Sequence, residues 1–137
     1  MEERNTKIEE IVAHLIVEIN KLLSSFALKF SKKHPCVKFE TEDNSNESLR
    51  INSFLNASER RDGLQVSVCV TFEVRDKYFK LSSDIVYENG TVIAIGPSEI
   101  FDNINLSLQM ASDFLRKLNA FIDDNEENIV QAAVNKP

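Results

Sequence analysis

Twenty-five residues in the middle of the chain, Leu64 to Glu88, constrain the fold more than any other stretch. Leu64, Val66, Val68, Val70, Phe72 and Val74 alternate with Gln65, Ser67, Cys69, Thr71 and Glu73. A period of two places one set on each side of a half-buried strand. A second alternating run begins at Phe79, and the charged link between them predicts a hairpin turning at Asp76-Lys77. In that register Val74 faces Phe79, Phe72 faces Leu81, Val68 faces Ile85 and Val66 faces Tyr87, so apolar side chains collect on one face. On the other face Glu73 stands beside Lys80 and Cys69 beside Asp84. A slip of one residue would set Phe72 against Lys80 and Val68 against Asp84, exchanging the faces of a whole strand.

The sequence around this hairpin supplies the remaining elements. Thr6-x-x-Glu9 resembles a capping box. It opens a helix whose stripe, Ile8, Ile11, Val12, Leu15, Ile16, Ile19, Leu22, Leu23, Phe26 and Phe30, has helical spacing. Pro35 disfavours helical geometry just before it and ends the helix near Ser31 to His34. Lys29, Lys32 and Lys33 suit the negative end of the helix dipole. Cys36 to Thr41 and Ser48 to Leu55 read as two strands, followed by a charged loop from Asn56 to Gly63 that carries Arg60, Arg61 and Asp62. After the hairpin, Asn89-Gly90 predicts a two-residue type I′ turn. A fifth strand follows over Thr91 to Ile95, with Tyr87 facing Val92 and Ile85 facing Ala94.

Ser98 is the expected N-cap of a C-terminal helix. Its seam is Phe101, Ile104, Leu108, Ala111, Leu115, Leu118 and Ile122, with Leu106, Met110, Phe114 and Phe121 apolar outside it. The acidic run Asp123 to Glu127 reads as a solvated helix end rather than a cation loop. Residues 1–124 thus form one domain, and residues 125–137 a tail that is a short helix or partly disordered. Five strands at about 4.8 Å spacing make a face roughly 20–25 Å wide, which two helices of about 10 Å diameter can cover. The expected architecture is an α+β two-layer sandwich: helix, five-stranded antiparallel meander, helix, with both helices on one face of the sheet.

Composition limits the function classes. The net charge is −6. That disfavours nucleic acid and anionic membranes as partners, since both favour a basic face. No run approaches the roughly 20 apolar residues of a membrane span. Two cysteines are too few for a disulfide framework, and the charged N-terminus lacks the order of a signal peptide, so a cytoplasmic location with reduced thiols is expected. No Gly-rich phosphate loop, nucleophile elbow or metalloprotease motif is present, so no catalytic residue, cofactor or metal site is assigned. His34-Pro35-Cys36, His14 and Cys69 are too dispersed to converge on zinc. Cys69 beside Asp84 makes a poor nucleophile, because a negative neighbour raises a thiol pKa.

The expected function is a non-catalytic protein-binding module, such as an adaptor, a chaperone-like protein or an immunity-type inhibitor, with a homodimer among its assemblies. The interface candidates are Leu106 and Met110 on the last helix, and Phe54, Val86, Ile93 and Ile95, which break the polar pattern of the open sheet face. The alternative is a small apolar ligand held between the sheet and the last helix, lined by Phe72, Phe79, Leu81 and Phe114. An enzyme using the polar face around Cys69, Asp84 and Ser82 is the third reading.

Overall fold

The computed structural model describes residues 2–44, 51–59, 65–74, 79–101 and 107–134. The order is α1 (Glu2–Lys33), β1 (Val37–Asp43), β2 (Ile51–Glu59), β3 (Val66–Val74), β4 (Phe79–Tyr87), β5 (Val92–Phe101), α2 (Leu108–Asp124) and α3 (Glu126–Val134). The strands form an antiparallel meander in the spatial order β1-β2-β3-β4-β5. The β3–β4 register is the one expected: Val74 opposes Phe79, Phe72 opposes Leu81, Val68 opposes Ile85, Glu73 opposes Lys80 and Cys69 opposes Asp84. The turn residues Arg75 to Tyr78 lie outside the described residues, as do Arg60, Arg61 and Asp62.

The helices pack against one face of the sheet. Val66, Val68, Val70 and Phe72 of β3 and Phe79, Leu81 and Ile85 of β4 are buried in one cluster with Leu15, Ile19, Leu23 and Phe30 of α1. Each such aromatic or aliphatic side chain contributes about 1.5–3 kcal/mol through burial. The buried part of α1, Ile11 to Phe30, spans about 28 Å at 1.5 Å per residue, close to the length of a nine-residue strand. No run of membrane-spanning length was expected, yet Glu9–Lys33 is long enough and contains an 18-residue window of mean hydropathy 1.5, apolar enough to cross a membrane, a third of which is buried inside this fold.

Four local expectations differ from the structure. The chain does not turn into a helix at Ser98. Strand β5 runs on to Phe101, which faces Phe79, and α2 begins later with Ser107 as its N-cap, its hydroxyl accepting from the Met110 N–H at 3.3 Å. Pro97 is accommodated because β5 bulges there: between the pairs Ser82–Ser98 and Asp84–Ile95, Gly96 and Pro97 together oppose Ser83. A bulge on an edge strand needs no ladder donor from proline. The Ser83 hydroxyl donates instead to the Pro97 carbonyl at 2.8 Å.

The Asn-Gly turn also closes differently. The Gly90 N–H donates to the Tyr87 carbonyl and the Tyr87 N–H to the Thr91 carbonyl, so the loop has three residues and Gly90 takes a positive φ of 91°. Val86 therefore opposes Val92 in place of the expected Tyr87–Val92 pair, and a bulge at Ile93 restores Ile85 to Ala94. Strand β2 extends through Glu59, with Ala57 fully buried, where a loop was expected from Asn56. Finally, α1 starts at Glu2, upstream of the Thr6 capping signal.

The later start of α2 changes its buried face. Ala111, Phe114, Leu118 and Ile122 are buried, while Leu108 is exposed and Leu115 only partly covered. Phe114 is thus a core residue on the seam, not beside it. Residues 126–134 form α3, and its Ile129, Ala132 and Ala133 are buried in the same core, packed mainly on β2. Three helices, not two, cover the sheet. Salt bridges tie the two ends of the chain together: Lys29 to Asp123 at 3.0 Å, Lys33 to Glu126 at 3.3 Å and His34 to Glu126 at 2.7 Å. The acidic run read as solvated is in part the counter-charge of the last turn of α1.

Candidate functional site

The face of the sheet away from the helices forms ordered cross-strand rows. One row runs Glu42, Phe54, Cys69, Asp84, Ile95 from β1 to β5. A neighbouring row is Glu40, Asn56, Ser67, Val86, Val92, and another is Asn52, Thr71, Ser82, Ser98. The first two rows run from a carboxylate at the β1 edge to an apolar side chain at the β5 edge, whereas the third is polar throughout and ends at Ser98. The polar middle is internally bonded: the Ser67 hydroxyl donates to Asn56 Oδ1 at 2.6 Å, and the Thr71 and Ser82 hydroxyls are 3.3 Å apart.

The two sheet edges contrast. β1 exposes Lys38, Glu40, Glu42 and Asp43, the charged pattern that blunts an edge strand. β5 exposes Val92, Ile95 and Ile100, and Ile95 retains 82% of its accessible surface. Among the expected interface residues, Ile95 is fully presented, and Phe54 and Val86 are half-buried on the open face. Ile93 packs against the core instead, because the bulge beside it rotates the strand. Met110 is also partly buried against the core, and Leu106 lies outside the described residues. Ile100 lies beyond the expected end of β5 at Ile95, and Val92 faces outward because it pairs with Val86 rather than with the core-facing Tyr87.

At the centre of the face, Cys69 and Asp84 form a polar pair. Burial and, to a lesser extent, the charge and hydrogen bond of Asp84 push the Cys69 thiol pKa up to about 12. Burial also raises the Asp84 carboxyl, while the thiol hydrogen bond opposes that shift. At neutral pH the sulfur is a protonated hydrogen-bond donor, the reverse of what a nucleophilic or metal-ligating cysteine requires. Among the described residues, no three His, Cys, Asp or Glu side chains group so as to hold a metal ion.

The residues expected to line a ligand cavity are buried in the core. Phe72, Leu81 and Phe114 are fully buried and Phe79 nearly so, and the Phe72 and Phe79 rings stack with centroids 5.9 Å apart. Two grooves among the described residues lie on α1. One, of about 560 Å³, runs between α1 and α2, with Leu22, Phe26 and Leu115 in it and the Lys29–Asp123 bridge among its walls. The other, of about 640 Å³, follows the outer surface of α1 past Val17, Asn20, Ser24 and Leu28 to Asp43. Val17 and Leu28 lie off the core stripe yet on one line of the helix, a signal that helical spacing carries. Comparison with protein-family models, with curated proteins and with solved structures finds no match to this chain.

Proposed function

We propose that this chain is a non-catalytic protein-binding module, of the adaptor, chaperone-like or inhibitory kind, whose partner covers the β4–β5 half of the open sheet face. The observation that carries this reading is Ile95, 82% exposed on an edge strand beside Val92 and Ile100. An apolar edge strand with free backbone groups is a template for strand addition, and neighbouring apolar side chains supply specificity. Val86 extends the apolar surface inward beside Val92, Phe54 lies beyond Asp84 and Cys69 on β2, and the carboxylates of β1 border the face on the far side. The protonated Cys69 thiol at its centre supports binding over nucleophilic chemistry. A partner with an apolar strand and basic flanks fits this gradient.

The test is a photo-crosslinking amino acid placed at Ile95 and, separately, at Ile100 in the full chain, expressed in its own host. One protein crosslinked from both positions, and lost when Ile95 or Ile100 is replaced by Lys, is the expected result. Crosslinks that are diffuse, or unchanged in the Lys variants, would overturn the reading.

A further inference from the structure

The β4–β5 half of the open face is built symmetrically about one cross-strand row. That row is Ser82 beside Ser98, with Thr71 completing it on β3. Two residues to one side along β4, Lys80 stands beside Ile100, and two residues to the other side Asp84 stands beside Ile95. Each flanking row thus joins one charged side chain on β4 to one exposed isoleucine on β5, and the two charges are opposite. The bulge at Gly96 and Pro97 creates this match. A regular ladder continued from Ser82–Ser98 would set Asp84 against Gly96, whereas the bulge brings Ile95 there.

Neither charge is neutralised within the chain. The Lys80 ammonium is exposed and is in no hydrogen bond or ion pair among the described residues. The Asp84 carboxylate is bonded to the Cys69 thiol, an uncharged donor. A carboxylate beside Ile95 loses water under any apolar cover, so the cover must bring it a cation. A second copy brings one. Turned over by a two-fold axis lying along the Ser82–Ser98 row, the same surface presents Lys80 above Asp84, Asp84 above Lys80 and Ile100 above Ile95. We infer that two copies of this chain, using the docking face proposed above, pack their β4–β5 halves face to face about this axis. Aligned sheets pack about 10 Å apart with strands crossing at about 30°. Residues two positions from the axis stand about 6.8 Å from it, so the crossing separates Asp84 from Lys80 of the other copy by about 3.5 Å sideways, which the four-carbon lysine stem spans. Glu73 opposes Lys80 on β3 and comes to lie over the uncharged Cys69 thiol of the other copy. Glu40 and Glu42 both lie on the Asp84 side of the axis row, so they do not meet their own counterparts. A two-fold contact repeats each pair, so the interface is isologous and closes at the dimer.

Light scattering and crosslinking on the full chain test this. The expected mass is twice the 15.6 kDa of one chain. Lys80→Glu alone and Asp84→Lys alone should each weaken the dimer about tenfold, because each turns two symmetric attractions into repulsions. An equimolar mixture of these two variants should recover it, since two acidic positions of one copy then face two basic positions of the other. That recovery distinguishes a two-fold charge match from general stickiness. Ser98→Cys, in a Cys36→Ser background, lies on the axis and should couple to itself through a bis-maleimide about 10 Å long, whereas Ser24→Cys on the outer side of α1 should not. Circular dichroism reports the fold of each variant, and the Ser98→Cys coupling needs neither charge variant. A monomeric chain, charge variants that fold but do not recover on mixing, or equal coupling from Ser24→Cys and Ser98→Cys would each overturn the inference. A monomer crosslinked from Ile95 and Ile100 to a different protein would overturn the second copy while leaving the docking face standing. Absence of any specific crosslink from either position would overturn both.

Discussion

The His34 imidazole Nε2–H donates to Oε2 of Glu126 across 2.7 Å, joining the exit of α1 to the first turn of α3 from opposite ends of the chain. Both side chains are largely covered, and Lys33 reaches the same carboxylate at 3.3 Å. The contact fixes α3 over β2 and so places Ile129 in the core.

This pair gives the fold an acid-sensitive element. The His34 hydrogen bond, opposed by burial and helped by Lys33, holds the Glu126 carboxyl below its ordinary value. A depressed folded-state pKa stabilises the fold above the unfolded value, near 4.5, and that stability is lost as pH falls through the lower folded value. Thermal melts between neutral pH and pH 3 should therefore show a drop below about pH 4.5 that is smaller in Glu126→Gln. Equal pH dependence in the two proteins would refute the assignment.

Gly96 is required by packing, not by turn geometry. A Cβ there would lie 2.5 Å from the Ser83 hydroxyl oxygen and 2.6 Å from the Phe121 ring. Gly96→Ala should destabilise by about 1–3 kcal/mol, as overpacked positions do. Adding Phe121→Ala should recover part of that loss, measured as non-additivity in a urea double-mutant cycle.

The thiols should differ in reactivity. Cys36 is exposed, whereas Cys69 is half-buried with its pKa pushed up to about 12. With iodoacetamide at pH 7.5, mass-spectrometric labelling should find Cys36 modified well before Cys69. Asp84→Asn removes the charge contribution and leaves the burial contribution, so Cys69 should label faster than in the parent but still behind Cys36. Parent-like or slower Cys69 labelling in Asp84→Asn would be inconsistent with that division.

The C-terminal helix belongs to the cooperative core. Ile129→Ala should cost about 2–5 kcal/mol, in the range for large-to-small core replacements, and should shift the whole unfolding transition. A separate early transition would mean that α3 detaches on its own.

Much of this architecture was legible from local pattern. The β3–β4 register followed from alternation, because only one pairing puts Phe72 against Leu81 while leaving Glu73 beside Lys80. The buried stripe of α1 was legible for the same reason at a period of 3.6. The second helix was misplaced because Ser98-Glu99 is a plausible helix start in isolation. Tertiary pairing outweighed it: extending β5 to Phe101 adds backbone pairing to β4 and buries Phe101 against Phe79. The consequences for the candidate site were direct. The extension brings Ile100 onto the same edge as Ile95, while the three-residue turn and the bulge at Ile93 leave Val92 outside and turn Ile93 toward the core.

By itself, the sequence determined which side chains must leave water, since periodicity assigns each residue a face before any partner is known. It therefore determined the sandwich, the central hairpin register and the polar identity of the Cys69–Asp84 face. The tertiary structure alone decided which long-range groups meet: His34 with Glu126, Lys29 with Asp123, and Gly96 with Phe121. It also decided which apolar residues stay outside, leaving Ile95 and Leu28 exposed while burying Phe114. The reason is physical. Burial of a face depends on spacing along the chain, but the choice among apolar or charged partners depends on which surfaces remain after the helices cover the sheet.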